Sequence, residues 1–431
     1  LLMIVSFKFK NYRSYRDEAE FSLLAQPSEY SQGAVTTIKL HDGSSLRLLN
    51  SAAIFGANAS GKSSVIYALS ALSDMVRESL SYNQAHNIPL RIPYGLDNKG
   101  HELSTDASID FIVNDKRYEY SLSIDNRGII NEELSLFNNN QFDLVFQKYL
   151  IKDGEFGLKL GPGWLSSTIE INDLMLLNNQ LLLSWMATKE ANGLQDVSLY
   201  LANLMIQTPE NMLYGGAQLS KIAEEFFDGC KSPLYRRFTK LMQIADLGIS
   251  DALFRRHDDS DFSFPSSVPP ETQKSFIEEN RWEFNLIHKM DNNKDRCLLP
   301  LSLESEGTKA LFKIAPYILY ALDNGKFLAY DEISTAIHPS LFRFLVNLFH
   351  NPKSNPKGAQ LVFTTHDASV ADHNTMRADQ IWFAEKTNGN SELFSAQDFE
   401  DVSINVPFEK WYRSGRFGAL PKFGSIDYIF D

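Results

Sequence analysis

Gly56-Ala-Asn-Ala-Ser-Gly-Lys-Ser63 is the stretch around which the chain is organised. It has the form G-x-x-x-x-G-K-S of a phosphate-binding loop, the Walker A motif. The apolar run Ser51–Phe55 before it predicts a buried strand, and residues at helical spacing follow it: Val65, Ile66, Leu69, Leu72 and Val76. A glycine-containing turn could match the pattern by chance, but both flanks provide the context that the motif requires.

The residue types of this loop fit a polyphosphate. Its glycines allow backbone N–H groups to converge on a phosphate, and the positive end of the following helix adds to the attraction. Lys62 is expected to reach the β- and γ-phosphates, and Ser63 to ligate Mg²⁺. The candidate nucleotide-binding residues of the loop are Gly56, Asn58, Ser60, Gly61, Lys62, Ser63 and Ser64.

The composition excludes some classes of protein. With 431 residues the chain is long enough for roughly two or three domains. Its net charge of −13 predicts an overall field that repels nucleic acid, although a local basic groove stays compatible with it. No apolar run approaches the roughly 20 residues that span a bilayer. The distant Cys230 and Cys297 are predicted to be buried structural thiols in a reducing compartment. We therefore expect a cytoplasmic protein with no membrane partner.

Patterning along the chain predicts three units. Alternating apolar residues predict a strand at residues 3–9 and an antiparallel meander over residues 108–160. From about residue 165 to 249 the spacing becomes helical, and residues 257–272 have the polar, proline-rich composition of an exposed loop. Alternation resumes at Trp282. The predicted units are an N-terminal lobe at 1–163, a helical insertion with the exposed loop at 164–280, and a C-terminal lobe at 281–431.

Two further motifs supply acids and a histidine. The apolar run Phe327–Tyr330 leads into Asp331 and Glu332, a Walker B pattern. Asp331 would hold the Mg²⁺ shell and Glu332 would be the general base for the attacking water. Taken alone, these two acids could equally cap the next helix or turn. Another apolar run ends in His366, which can contact the γ-phosphate, although a lone histidine is more often an ordinary hydrogen-bonded one.

A fourth motif, Glu304-Ser-Glu-Gly-Thr308, precedes a helical run that leads into the Walker B strand. Serine and glycine at a helix start form a further anion-binding surface. The order of these four motifs resembles that of the ATP-binding-cassette (ABC) ATPases, in particular the branch that holds RecF and the SMC proteins. Under this resemblance Ser305 and Gly307 are the signature serine and glycine, and Ala336-Ile-His338 is the dimer-contacting D-loop.

The N-terminal segment Asn11-Tyr-Arg-Ser-Tyr15 also resembles a motif of that branch, whose basic residue touches nucleotide. Arg13 is therefore a candidate, with a surface arginine as the alternative. His338-Pro339, residues 381–386 and residues 415–421 narrow the resemblance to OLD-family-like ATPase subunits of bacterial anti-phage defence systems, such as PARIS-type ATPases. It covers roughly residues 3–160 and 282–425.

The resemblance implies an α/β fold, that of an ABC-ATPase head. A mixed sheet with the P-loop and flanking helices would lie beside an antiparallel β-subdomain, with a mostly helical insertion. Two heads would sandwich two ATP molecules with Mg²⁺, and Ser305 of one chain would complete the site of the other. The homodimer, or a higher homo-oligomer, would hydrolyse ATP and control a separate effector, a Toprim-type nuclease or a toxin. DNA or a phage protein would be the trigger.

Some features depart from the family pattern. No convincing Q-loop glutamine follows the first helix, and Gln84 or a residue near Pro93-Tyr94 is only a guess. The stretch after His366 is expected to be too short for the Toprim nuclease of OLD proteins. A RecF/SMC-like DNA-repair ATPase and a non-hydrolysing, ATP-switched scaffold therefore stay as alternatives. The C-terminal aromatic residues are predicted to serve core or interface packing: Trp411, Tyr412, Phe417, Phe423, Tyr428 and Phe430.

Overall fold

The Walker A region forms a strand, a loop and a helix, as the sequence predicts. In the computed structural model Ser51–Phe55 is a fully buried strand, and Lys62–Glu78 is a helix that buries its apolar face. The structure describes residues 1–27, 33–97, 99–152, 155–162, 176–189, 193–209, 222–227, 231–245, 248–290, 296–371, 375–399 and 407–420.

Strands and helices alternate irregularly along the chain. The strands are β1 Leu2–Lys10, β2 Ala19–Ser22, β3 Val35–Lys39, β4 Ser45–Leu49, β5 Ser51–Phe55, β6 Thr105–Val113, β7 Lys116–Asp125, β8 Gly128–Asn138, β9 Gln141–Lys152, β10 Glu155–Leu160, β11 Met205–Gln207, β12 Ile249–Arg256, β13 Trp282–Lys289, β14 Arg296–Pro300, β15 Phe327–Tyr330, β16 Gln360–Thr364, β17 Ile381–Thr387 and β18 Asn390–Ser395. The helices are α1 Lys62–Glu78, α2 Leu182–Thr188, α3 Leu194–Ala202, α4 Pro233–Ala245, α5 Pro270–Asn280, α6 Glu306–Asn324, α7 Pro339–His350 and α8 Phe408–Arg413.

A mixed six-stranded sheet carries the Walker A, Walker B and histidine loops that the sequence predicts. Its strand order is β11-β15-β16-β5-β17-β18, and only β18 runs antiparallel to its neighbour. Strands β5, β15 and β16 are buried throughout, which explains why they read as continuous apolar runs. Because the carboxyl ends of parallel strands meet at one edge, the loops that follow these three strands lie side by side.

A seven-stranded antiparallel sheet forms the second layer. Its order is β10-β9-β8-β7-β6-β1-β2, so the predicted meander is confirmed and the first two strands extend it. Alternate residues such as Ile109 and Phe111 are fully buried in a core that also includes Leu69 and Leu72 of α1. The predicted α/β fold, in which a mixed sheet carries the P-loop beside an antiparallel sheet, is therefore confirmed.

The segment predicted as a helical insertion contains strands as well as helices. Helix α3 packs on α1, where Ser73 Oγ donates to the Leu201 carbonyl at 2.7 Å. Strand β11 joins the edge of the mixed sheet beside β15, and β12 pairs with β13. The prediction of helix through Leu204 and Met205 is wrong, because α3 ends at Ala202 and pairing with β15 extends the chain. The domain boundaries at 163/164 and 280/281 stay a prediction, and residues 163 and 164 lie outside the described residues.

Two predictions concern solvent exposure, one for the proline-rich loop and one for the cysteines. Residues 257–269 of the predicted loop 257–272 are mostly exposed, as predicted, with one helical turn at Asp259–Asp261. The prediction of a loop is wrong for residues 270–272, because α5 begins at Pro270, a residue that suits the first turn of a helix. The prediction of buried thiols is wrong for Cys297, which is exposed because β14 is an outer strand of its three-stranded sheet. Cys230 lies outside the described residues, as do Phe423, Tyr428 and Phe430. Among the described helices, none has the length and apolar composition to cross a membrane.

Candidate functional site

A cavity of about 310 Å³ lies at the carboxyl edge of the mixed sheet. It contains most of the Walker A residues together with the acid and the histidine that the sequence singles out. The lining residues are Ser14, Asn58, Ala59, Ser60, Gly61, Lys62, Ser63, Ser64, Glu332 and His366. Four segments that are far apart in sequence therefore converge on one site.

Two glycines of the loop have no room for a side chain. A Cβ at Gly61, whose φ is +107°, would lie 2.7 Å from Ser391 Oγ and 2.8 Å from the Tyr15 ring. A Cβ at Gly56 would lie 2.3 Å from the carbonyl oxygen of Ala384. Residues outside the loop thus lie so close to Gly61 and Gly56 that no side chain fits, and only glycine allows the backbone to turn there.

Lys62 is the buried cation of the cavity. Its Nζ donates to the carbonyl oxygens of Gly56 and Ala57 at 2.8 and 2.7 Å. Burial lowers the pKa of Lys62 to about 8, and the carboxylates of Asp331 and Glu332 oppose the shift. The ammonium group is therefore poorly solvated, which makes an added phosphate a favourable partner.

Asp331 is held by two hydroxyl groups. Its Oδ1 accepts from Ser63 Oγ at 3.0 Å and from Thr364 Oγ1 at 2.5 Å. Burial raises the pKa of Asp331, and the hydrogen bonds from Thr364 and Ser63 oppose that shift. A carboxylate beside a serine hydroxyl is the oxygen donor set that Mg²⁺ prefers.

Glu332 and His366 form the open side of the cavity. Glu332 Oε1 lies 3.7 Å from His366 Nε2, and both side chains are nearly half exposed. Burial and the Lys62 ammonium lower the pKa of His366 below its usual value, with Glu332 opposing them. Glu332 has a left-handed backbone, with φ +56°, and its N–H donates to Thr364 Oγ1 at 2.8 Å. Such strained conformations at non-glycine residues cluster at functional sites.

The structure does not bring the signature residues into the cavity of their own chain. Ser305 is the N-cap of α6, and its Oγ accepts the Thr308 N–H at 3.1 Å. Its side chain is exposed. Gly307 lies against the predicted D-loop, where an added Cβ would be 3.0 Å from the Ala336 carbonyl oxygen. The signature and D-loop segments therefore lie beside each other and outside the cavity lining described above.

The N-terminal motif reaches the loop through residues other than Arg13. The Arg13 guanidinium stacks on Tyr67, 4.2 Å from the ring centroid, outside the cavity lining described above. Ser14 lines the cavity instead, and the Tyr15 hydroxyl donates to the Gly61 carbonyl at 3.3 Å. The contact of Arg13 with nucleotide stays a prediction. Sequence reasoning chose Arg13 as the candidate and not Ser14, the next residue of the same motif.

Two site residues were missed by sequence reasoning. The Thr364 hydroxyl is hydrogen-bonded to both Walker B acids. Gln207 is the last residue of β11, and its carbonyl accepts the Asp331 N–H at 2.9 Å. The guessed Q-loop residue Gln84 lines a separate cavity of about 790 Å³. The short apolar run before Gln207 could have indicated the strand that ends there. Because its apolar residues also continue a helical spacing, the sequence favoured a helix.

A parallel sheet whose P-loop, acids and histidine surround one cavity defines a P-loop nucleotide-binding domain. Residues 51–159 and 207–372, more than half of the chain, match the family described as "AAA domain, putative AbiEii toxin, Type IV TA system". The chain belongs to this AAA-domain ATPase family.

Solved structures with similar folds include two SMC heads. The SmcHead bound to the C-winged helix domain of ScpA is 14% identical, with a TM-score of 0.46, and the match covers 91% of this chain and 97% of that one. The SMC head domain from Thermotoga maritima is 13% identical, with a TM-score of 0.42, 91% of this chain and 98% of that chain being covered. No curated protein matches the chain.

Proposed function

We propose that this protein binds ATP with Mg²⁺ and hydrolyses it by attack of water on the γ-phosphate. The observation that carries the proposal is the single cavity lined by the Walker A loop, Glu332 and His366, with Asp331 bonded to Ser63 behind it. A phosphate loop, a buried lysine and a paired acid in this arrangement supply the groups that hydrolysis of a nucleoside triphosphate requires.

The residues present fit a bound nucleotide. The Ser60 hydroxyl is buried without a hydrogen-bond partner among the described residues, although buried polar atoms normally have one. Lys62 would move its charge from the loop carbonyls to the β- and γ-phosphates. Ser63 and Asp331 would hold Mg²⁺, which neutralises charge on the phosphates.

Glu332 is the proposed general base. Its carboxylate opens into the cavity, and its backbone is fixed by Thr364, so it can accept a proton from a water at the γ-phosphate. His366, whose lowered pKa favours the neutral imidazole, would donate to or accept from the phosphate or water. Gln207, beside the Walker B strand, is the proposed Q-loop glutamine.

Two copies of the chain would complete two sites. Ser305 is exposed, and neither Ser305 nor Gly307 lines the cavity of its own chain, although a helix N-terminus with a serine is suited to an anion. In an ATP sandwich, Ser305 of one chain would contact the nucleotide bound by its partner. This arrangement accounts both for the exposure of Ser305 and for its position at a helix N-terminus. A homodimer or a higher homo-oligomer follows.

The output of the cycle would be control of a partner effector in cytoplasmic anti-phage defence. The motifs that resemble OLD-family-like and PARIS-type ATPases support this role, and so does a family description that names a putative toxin and a toxin–antitoxin system. The effector would be a toxin or a Toprim-type nuclease on a separate chain, with DNA or a phage protein as the trigger.

Phosphate release tests the proposal. The wild-type protein should hydrolyse ATP with Mg²⁺, and Lys62→Ala should abolish ATP binding or turnover. Lys274→Ala, at an exposed position on α5, is the matched control and should behave as wild type. Undiminished turnover in Lys62→Ala would refute the site. ATP binding without turnover would instead indicate the scaffold, and a DNA affinity that falls steeply with salt would indicate the repair ATPase.

A further inference from the structure

The three-stranded sheet of β12, β13 and β14 packs on the helix that begins at the signature segment. Its strand order is β12-β13-β14, and both pairs are antiparallel. The rings of Phe254 on β12 and Phe284 on β13 lie 5.8 and 5.4 Å from the ring of Phe312, a fully buried residue of α6. Since β12 belongs to the predicted insertion, part of that insertion is attached to the signature helix.

A second contact joins the same sheet to the N-terminus of α6. His288 lies near the end of β13, and its Nε2 is 2.7 Å from Oε1 of Glu304, the residue directly before Ser305. Because a carboxylate can only accept, the imidazole N–H is the donor. The exposed fraction of the side chain is 22% for His288 and 4% for Glu304. A buried carboxylate without a partner is costly, and His288 supplies a partner.

Local hydrogen bonds connect Glu304 to the start of the helix. The Glu304 N–H donates to the Leu301 carbonyl at 3.2 Å and closes the short turn that leads from β14 to α6. The next residue, Ser305, is the N-cap, and its Oγ lies 3.1 Å from the Thr308 nitrogen and 2.8 Å from Thr308 Oγ1. Glu304 is buried whereas Ser305 is exposed. The position of the exposed serine therefore depends on how its buried neighbour is held.

A second histidine makes comparable contacts at the opposite end of β13. The Nε2 of His257 lies 3.4 Å from Glu283 Oε2, its Nδ1 lies 3.3 Å from Asp261 Oδ2, and its side chain is also 22% exposed. Its backbone N–H donates to the Arg281 carbonyl, just before β13 begins. His257 and His288 thus have the same exposure and carboxylate partners, but the partner of His288 belongs to the signature segment.

We propose that His288 is a positioning residue for the signature serine, through which the three-stranded sheet sets how Ser305 meets the nucleotide bound by a second copy of the chain. His288 acts through Glu304 and touches no reacting atom. The inference rests on the proposed function, in which Ser305 completes the site of a partner. Because the signature segment does not line the cavity of its own chain, loss of this hydrogen bond should leave ATP binding unchanged. A displaced Ser305 should instead weaken ATP-dependent pairing and lower kcat.

The test removes the imidazole and measures binding, pairing and turnover separately. In His288→Ala, phosphate release at saturating ATP should fall about 10- to 100-fold, the scale of a misplaced group. The affinity of the dilute chain for ATP should stay at the wild-type value. When Glu332→Gln is used to accumulate the larger ATP-bound species, adding His288→Ala should reduce that species in light scattering. His257→Ala is the matched control and should resemble wild type in all three measurements.

A conservative variant and hydrogen exchange separate positioning from a loss of folding. His288→Gln keeps a side-chain N–H donor for Glu304 and should recover most of the turnover and the pairing. Hydrogen exchange of the peptide at 301–309 should accelerate in His288→Ala, because the turn and the first turn of α6 lose their link to the sheet. The same peptide should exchange as in wild type in His257→Ala and close to wild type in His288→Gln.

Ser305→Arg distinguishes failure of this inference from failure of the proposed function. If Ser305→Arg loses pairing and turnover while His288→Ala keeps both, the inference is overturned. Unchanged exchange of residues 301–309 in His288→Ala, or a loss of ATP binding as large as the loss of turnover, would also overturn it. If the wild-type protein neither pairs with ATP nor hydrolyses it, or if Ser305→Arg has no effect, the proposed ATP sandwich fails. The exchange measurement then still decides whether His288 holds the signature segment.

Discussion

Thr364 holds both acids of the Walker B motif, and replacing it by valine tests the geometry of the site. Its Oγ1 donates to Asp331 Oδ1 at 2.5 Å and accepts the Glu332 N–H at 2.8 Å. The side chain is fully buried at the end of β16. Thr364→Val keeps the β-branched shape and removes both hydrogen bonds without opening a cavity.

The expected magnitude follows from these two bonds. A hydrogen bond to an ionised carboxylate contributes about 1.5–3 kcal/mol, and a buried N–H left unpaired costs about 1 kcal/mol or more. The free energy of unfolding should therefore fall by roughly 2–4 kcal/mol in Thr364→Val. Glu332 also loses the contact that fixes its left-handed backbone. A displaced base should lower turnover by roughly 10- to 100-fold.

Urea unfolding and phosphate release measure the two effects. Thr365→Val is the control, because the hydrogen bonds of the buried Thr365 hydroxyl within the described residues go to the neutral Ser334 Oγ, at 2.6 Å, and the Asp367 N–H, at 2.9 Å. It should cost about 1 kcal/mol and change turnover less. Thr364→Ser, which restores the hydroxyl, should recover most of both losses. Wild-type turnover in Thr364→Val, with a stability no lower than that of Thr365→Val, would refute the reasoning.

Three further predictions concern other parts of the chain. Glu332→Gln should bind ATP and Mg²⁺ but lose turnover by roughly 10²-fold. A larger, ATP-bound species should then accumulate and be visible by light scattering. Near wild-type turnover would mean that another group, such as His366, orients the attacking water. Ser305→Arg should keep ATP binding while losing hydrolysis and ATP-dependent pairing, and an equal loss of binding in the monomer would place Ser305 in its own cavity. Burial lowers the pKa of His350 from 6.5 to about 4, which favours the neutral ring in the folded state. The unfolded chain therefore takes up the proton first, and the free energy of unfolding should fall as the pH drops from about 6.5 towards 4; a chemical-denaturation series with equal pH slopes in wild type and His350→Gln would contradict this.

The sequence by itself located the core of the site because the information is local. Gly56–Ser63 and its flanks lie within one strand–loop–helix unit, whose glycines, lysine and helical spacing can be read from neighbouring residues. Asp331 and His366 each follow a continuous apolar run of the kind that buried parallel strands require. Since parallel strands place their carboxyl ends at one edge, three separate motifs sufficed to predict one cavity.

Only the tertiary structure decided how that cavity is supported. Strand β11 has three residues, too few for a periodic pattern, and forms because β15 offers it a parallel partner. The role of Thr364 depends on hydrogen bonds to residues 32 and 33 positions away, which no local spacing encodes. The sequence predicts Ser305 as a site residue, but at the N-cap of α6 it does not line the cavity of its own chain. Local patterns identify the groups that can bind phosphate, whereas packing between distant strands determines which side chains hold those groups in place.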